Sequence, residues 1–190
     1  MRSLGHLLLW RLGLIRIQPW AEPGETDCLT RHALGKRRLA EVGVWQGGTT
    51  RALRGVMAED GVLFAVDPFP AGRIGINYQQ WIAHGEVGRV HRGQVVWIRH
   101  GGAQAASDPR VAAAPFDFVF LDADHTYEGT RAVWDAWHPL VSDVVALHDA
   151  VGAPDQGSVR FVNERVVTDP RFTVVETTGC LMVLRRRRTD

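Results

Sequence analysis

Apolar residues along the chain fall into short runs separated by stretches with helical periodicity, and this alternation predicts an α/β arrangement. Residues 39–43 form a first strand. A helix over 49–57 follows, with Leu53, Val56 and Met57 on one side and Thr49 or Thr50 placed to cap or support its first turn. A second strand over 62–67 is stopped by Pro68 and Pro70, because the residue before a proline is biased towards extended backbone. Residues 71–93 hold five glycines and one short helical candidate over 78–84. Strands over 95–99 and 116–121 are almost unbroken in apolar residues, as a sheet covered on both faces requires, so the sheet is expected to be mostly parallel.

A helix over 129–140 places Val133, Trp137 and Leu140 on one face, a fifth strand covers 144–147, and Ser158 opens a helix carrying Phe161 and Val162. Residues 172–176 and 181–184, separated by a turn signal at 177–179, read as a C-terminal antiparallel pair. The expected architecture is a doubly wound, Rossmann-like sheet of seven strands. Ligands in such sheets sit beyond the carboxyl ends of the strands, which directs attention to the residues placed there.

Composition adds constraints. With 190 residues, 45% hydrophobic and 23% charged, the chain is long enough for a full core and is read as one domain over 1–190, with an N-terminal arm (1–24) and a basic tail (185–190). Basic residues number 22 and acidic 21; leaving out Arg185, Arg186, Arg187, Arg188 and Asp190 gives 18 against 20. No basic surplus marks a nucleic-acid face. Cys28 and Cys180 form no CxxC and lie far apart, which fits a reducing, cytoplasmic setting rather than a disulfide scaffold. Residues 7–20 are apolar but broken by Arg11 and Arg16, too short and too charged to span a bilayer. They are read as an amphipathic arm, with a membrane-surface or subunit contact as the other reading.

The first strand runs into Glu41-Val-Gly43-Val-Trp-Gln-Gly47-Gly48-Thr49, an ExGxxxG pattern whose glycines let the backbone turn sharply and admit a ligand. It is neither GxGxxG nor a phosphate-binding GxxxxGK[ST] loop. Asp67 ends the second strand 24 residues after Gly43, where one carboxylate can accept both hydroxyls of a ribose. Taken singly, each feature is explained as well by tight packing or by a turn before Pro68. Together, on successive strands, they favour an adenosine ligand.

Phe118-Val-Phe-Leu-Asp122-Ala-Asp124-His125-Thr-Tyr127 puts two carboxylates and an imidazole after the fourth strand, and Val145-Ala-Leu-His148-Asp149 does the same after the fifth. Neighbouring strands lie about 4.8 Å apart, so Asp122 and Asp149 can share one divalent ion. A carboxylate pair in this position is metal-bound, partly protonated or separated by a hydrogen-bonding partner. Helix capping explains any one of these residues, Asp124 above all, because alternation turns it away from Asp122 and leaves it to orient the loop.

The glycine loop and Asp67 resemble those of class I S-adenosylmethionine-dependent methyltransferases. That resemblance implies that Glu41, Gly43, Gly47 and Thr49 lie along the methionine part of the cofactor, that Asp67 holds its ribose, and that Gly102, Ala103 and Gln104, after the third strand, lie near its adenine. The stretch Asp122-Ala-Asp124-His125-Thr-Tyr127, then Asp135, then His148-Asp149, is similar to metal-dependent O-methyltransferases, in particular those acting on macrolide sugars. Catechol and caffeoyl-coenzyme A methyltransferases are more distant, with Lys where His125 stands. The resemblance implies that Asp122, His148 and Asp149 are metal ligands and that His125 is the general base. The sugar enzymes have Glu in place of His148, and an imidazole suits manganese, iron or zinc better than magnesium. Ser142-Asp143 also departs from their pattern, at a turn.

The chain is therefore expected to be an O-methyltransferase for a small-molecule hydroxyl acceptor such as a sugar, diol or catechol, with S-adenosylmethionine and a divalent metal (magnesium or manganese) as cofactors. A non-catalytic S-adenosylmethionine- or nucleoside-binding module is the alternative, and binding without metal dependence would favour it. The acceptor pocket is expected from the arm and from residues 71–93, with homo-oligomer contacts as a candidate to complete it.

Overall fold

The computed structural model describes residues 4–71 and 75–188. Parts of the expected arm, of the 71–93 segment and of the basic tail, at 1–3, 72–74 and 189–190, lie outside the described residues. The strands are β1 (Arg38–Val42), β2 (Val62–Val66), β3 (Gln94–Ile98), β4 (Phe116–Leu121), β5 (Val141–Leu147), β6 (Phe172–Thr178) and β7 (Leu181–Arg186). They form one sheet in the order β3-β2-β1-β4-β5-β7-β6. The first five run parallel, while β7 joins β5 antiparallel and carries β6 antiparallel on its other side, as expected. Two short helices, α5 (Gly102–Ala105) and α6 (Pro109–Ala112), connect β3 to β4.

Period-2 alternation divides the core. Phe118 and Phe120 of β4 pack with Leu39, Leu63 and Val144 on one face, against Leu29 of α2 (Pro23–Ala33) and Leu53 of α3 (Gly48–Val56). Val119 and Leu121 point the other way, to Val42, Val145 and to Val133, Trp134 and Trp137 of α7 (Tyr127–Trp137). Both faces are covered, which is why the central strands lack a polar side. Phe116, Phe118 and Phe120 are fully buried, each worth about 2 kcal/mol of transfer free energy relative to an exposed ring.

Several boundaries differ from the sequence reading. Helix α7 starts at Tyr127 rather than 129 because the Thr126 hydroxyl accepts the Gly129 amide at 3.0 Å. The helix in the glycine-rich segment, α4 (Tyr78–Gly88), is longer than 78–84 and is capped by Asn77, whose side chain accepts the Gln80 amide at 2.9 Å. Strand β5 begins at Val141, three residues early, where the Ser142 hydroxyl donates to the Phe116 carbonyl at 2.8 Å. Neither Thr49 nor Thr50 caps α3: the cap is Gly47, in the left-handed region at φ 77°, and both threonines are buried in the first turn.

Helix α2 has no counterpart in the sequence reading. Its apolar content is low, but Glu22 and Glu25 form a capping box around Pro23 at the first helical position, a signal the sequence does carry. Upstream, α1 (Leu4–Arg11) packs on α4 through a small cluster of Leu7, Ile17 and Ile82, bordered by Trp10 and Tyr78. Leu4, Leu8, Leu9, Leu12 and Leu14 stay exposed, so α1 is apolar on its outer side as well as where it packs, unlike the amphipathic arm expected. Among the described residues no helix is long and apolar enough to cross a membrane.

Candidate functional site

Each parallel strand ends by handing its first following residue to the last carbonyl of its neighbour. The Asp67 amide donates to Ile98 at 3.1 Å, Gly43 to Val66 at 2.9 Å, Asp122 to Val42 at 2.8 Å and His148 to Leu121 at 3.0 Å. Asp67, Gly43, Asp122 and His148 therefore stand in one row along the carboxyl edge of the sheet, a strand spacing of about 4.8 Å apart. The row crosses the switch point between β1 and β4, where strand order reverses and a crevice opens.

A cavity of about 350 Å³ occupies that crevice, lined by Glu41, Gly43, Thr49, Asp67, Asp122 and His125 together with Val44, Trp45, Gln46, Gly48 and Ala123. The N-terminal arm closes one side with Ile17, Gln18 and Trp20. Gly43, at φ 102°, is required by packing: a Cβ there would lie 1.8 Å from the Asp122 carbonyl oxygen. Gly48 likewise touches the Gln18 carbonyl of the arm. Close approach of neighbouring backbone thus already requires both glycines, and both also line the cavity.

Asp67 holds the loop. Its Oδ2 accepts the amides of Val44 at 3.2 Å and Trp45 at 3.0 Å, and its Oδ1 accepts Phe69 at 2.8 Å. Trp45 sits at φ 54°, a conformation uncommon for a bulky residue, and the Asp67 carboxylate pins its amide there. Glu41 is 1% exposed, and burial, with the charges of Asp122 and Asp67 nearby, pushes its carboxyl well above the usual glutamate range. Thr50 hydrogen-bonds the Glu41 carboxyl and partly offsets that rise, while Gln46, another residue of the wall, has a buried Nε2 with no partner. An unpartnered amide N–H fits a polar cofactor in the crevice.

On the other side of Asp122 lies the acid and histidine cluster. One ligating atom each from Asp122, His125 and Asp149 fall within 4.8 Å of one another. His125 Nδ1 is 2.9 Å from Asp149 Oδ2. His148, whose side chain is 7% exposed, points its Nδ1 between the two acids, 3.3 Å from Asp122 Oδ1 and 3.7 Å from Asp149 Oδ2. That nitrogen is buried against Asp122 Oδ1, at an angle short of hydrogen-bond geometry but close enough for the acid to favour a proton on the ring. Burial opposes the charged form of His148, but Asp122, Asp149 and Glu25 outweigh it and raise its pKa to about 9. The two acids are thus separated by histidines. The donor set of two carboxylates, an orphaned imidazole nitrogen and a second imidazole fits a divalent cation.

Asp124 turns away, as alternation requires: its Oδ1 accepts the Thr126 amide at 2.9 Å and hydroxyl at 2.7 Å, and it orients the loop into α7. Tyr127 donates its hydroxyl to Glu164 at 2.8 Å, and Trp134 stacks on the buried His138. Gly47, Gly102, Ala103, Gln104, His148 and Asp149 do not line the cavity. Gly102 and Ala103 open α5, where the Gly102 carbonyl accepts Trp137 Nε1 at 2.8 Å. Sequence reasoning missed Glu25, Gln18 and Trp20, because all three come from the arm and α2.

The chain matches a family model described as a methyltransferase domain over residues 40–150, and it belongs to that family. Its sheet is that of the class I S-adenosylmethionine-dependent methyltransferases. Curated protein sequences give no match. Among solved structures it is similar to a protein from Corynebacterium glutamicum, at 16% identity and TM-score 0.72, covering 100% of this chain and 93% of that one. An O-methyltransferase from Bacillus cereus in complex with SAH gives 19% identity and TM-score 0.64, over 96% and 90%. A TDP-rhamnose 3'-O-methyltransferase of calicheamicin biosynthesis gives 21% identity and TM-score 0.57, over 85% and 76%.

Proposed function

We propose that the protein transfers the methyl group of S-adenosylmethionine to a hydroxyl of a small molecule, a sugar, diol or catechol-like acceptor, with a divalent cation held by Asp122, His148 and Asp149. The observation that carries this reading is the meeting of Asp122 and Asp149 with two imidazoles, His125 within 4.8 Å of both acids and His148 Nδ1 at 3.3 and 3.7 Å from them, beside the cavity. The O-methyltransferases among the structural neighbours support oxygen as the acceptor atom. The near balance of 22 basic and 21 acidic residues argues for a small molecule over a nucleic acid.

Methyl transfer from a sulfonium is an in-line displacement, so the acceptor oxygen must be aligned with the methyl carbon and lose its proton. A divalent cation supplies the Lewis acidity that lowers the acceptor hydroxyl's pKa. Asp67 holds the cofactor ribose and the glycine loop, and Glu41 and Gln46 meet its polar groups. Asp149 accepts the Nδ1 proton of His125, which leaves Nε2 as the atom that takes the hydroxyl proton. The arm residues Ile17 and Trp20 shield the reacting groups from water.

Methyl transfer to a panel of catechols and sugars, with and without EDTA, tests this. Turnover should vanish in EDTA, and Asp122→Asn and His125→Ala should each lower it about 100-fold or more while SAH still binds. Activity untouched by EDTA would remove the cation from the reading. SAH binding with no turnover on any acceptor would favour a binding module.

A further inference from the structure

The two ring nitrogens of His148 face different groups. Nδ1 points between Asp122 and Asp149 and has no hydrogen-bond partner, whereas Nε2 lies 3.4 Å from Glu25 Oε2 and 3.3 Å from Cys180 Sγ. Glu25, in the first turn of α2, is 2% exposed. Its Oε1 accepts the Cys180 amide at 2.7 Å and thiol at 3.1 Å, and its Oε2 accepts the Glu22 amide at 2.8 Å. Each of its oxygens thus already accepts at least one hydrogen bond. The Cys180 thiol is directed at Oε1 as a donor. Among the described residues, the ion-pair partner this buried carboxylate meets is His148.

We propose that Glu25 is the positioning residue that fixes the tautomer of His148, taking the Nε2 proton and leaving the Nδ1 lone pair aimed between Asp122 and Asp149 for a divalent cation. Both ring nitrogens face carboxylates, Nδ1 those of Asp122 and Asp149 and Nε2 that of Glu25, so without a cation each can hold a proton. A cation between Asp122 and Asp149 takes the place of the Nδ1 proton, and the proton that stays lies on Nε2 against the Glu25 carboxylate. Histidines that bind metals commonly give their other N–H to a carboxylate in this way, which sets ring orientation and basicity. Glu25 is itself held by Cys180 and Glu22, so its position does not depend on His148. The inference rests on the metal-dependent reading above.

Glu25→Gln separates the two. The amide must turn its oxygen to the Cys180 N–H, which presents its NH₂ to His148 Nε2 and drives the ring proton to Nδ1, where it blocks the cation. Calorimetric titration of the chelator-stripped protein with Mn²⁺ should show binding weakened about 10- to 100-fold in the variant. Loss of the Glu22 contact is scored separately, as the melting temperature in EDTA. A wild type that binds no Mn²⁺ would sink the metal reading itself. Equal affinity in wild type and Glu25→Gln would overturn only the role of Glu25, as would binding lost in Cys180→Ala but kept in Asp122→Asn, which would put the ion on the Nε2 side. Should Glu25→Gln not fold, ¹⁵N imidazole shifts of the wild type loaded with diamagnetic Mg²⁺ decide: a proton on Nε2 of His148 supports the assignment, and one on Nδ1 overturns it.

Discussion

His125 Nδ1 and Asp149 Oδ2 stand 2.9 Å apart, although the two residues come from loops after different strands. Asp149 reaches that position from a left-handed backbone, φ 47°, at the first residue but one after β5. Aspartate and asparagine tolerate this conformation better than most residues, because their short polar side chains bond locally. Asp149→Asn therefore keeps the backbone and removes the charge. Stability in EDTA should stay within about 0.5 kcal/mol of wild type, while turnover falls about 100-fold or more. Thermal melts and methyl-transfer rates check both halves, and a variant with full turnover would free Asp149 from the chemistry.

Gly43 and Gly13 both have positive φ, 102° and 73°, but only the first has a neighbour where a Cβ would go. Gly13→Ala tests strain alone and should cost about 1–2 kcal/mol. Gly43→Ala adds a collision with the Asp122 carbonyl, so at least about 4 kcal/mol is expected. The collision also moves the residue that faces the cation, so Mn²⁺ and SAH binding should weaken together in whatever folds. Urea titration of the two variants gives the comparison, and equal costs would show that the β1–β4 edge yields easily.

Much of this edge was legible because strand ends are written locally. Apolar runs bounded by Gly43, Asp67, Asp122 and His148 identify both the strands and the residues that leave them, and parallel pairing then lines those residues up without further information. Packing between distant segments was not legible. That Gly43 lies against Asp122 and Gly48 against Gln18 depends on tertiary contacts no spacing encodes. Glu25 was hidden for the same reason: its partners His148 and Cys180 lie 123 and 155 residues away. The helix that carries it has few apolar residues, so periodicity passes over it, although its capping box is in the sequence.

Glu41 makes stability depend on pH in an unusual direction. In the native protein burial holds the Glu41 carboxyl protonated to higher pH than in the unfolded chain, where an ordinary glutamate loses its proton above about pH 4.5. The unfolded state then binds fewer protons, so this group lowers stability as pH rises, by up to about 1.4 kcal/mol per pH unit. Glu41→Gln keeps the shape and has no proton to lose. Urea denaturation at about pH 5 and about pH 8 should show the wild type losing more stability over that interval than the variant. Equal slopes would mean that Glu41 is ionised in the native state.

Trp20 is 67% exposed and Trp45 44% exposed, yet both line the cavity, with ring centroids 6.1 Å apart and planes at 60°. Leaving two indoles partly open to water at the mouth of a site is unfavourable unless something covers them, and a flat ring or the apolar face of a sugar would do so. Trp45 is tied to the cofactor loop through Asp67, whereas Trp20 comes from the arm, so the two contributions can be separated. Trp20→Ala should raise the acceptor KM about 2- to 10-fold, the loss of one aromatic contact, with SAH affinity unchanged. If SAH affinity falls and the acceptor KM does not, Trp20 covers the cofactor instead, and the acceptor enters from the side of His125.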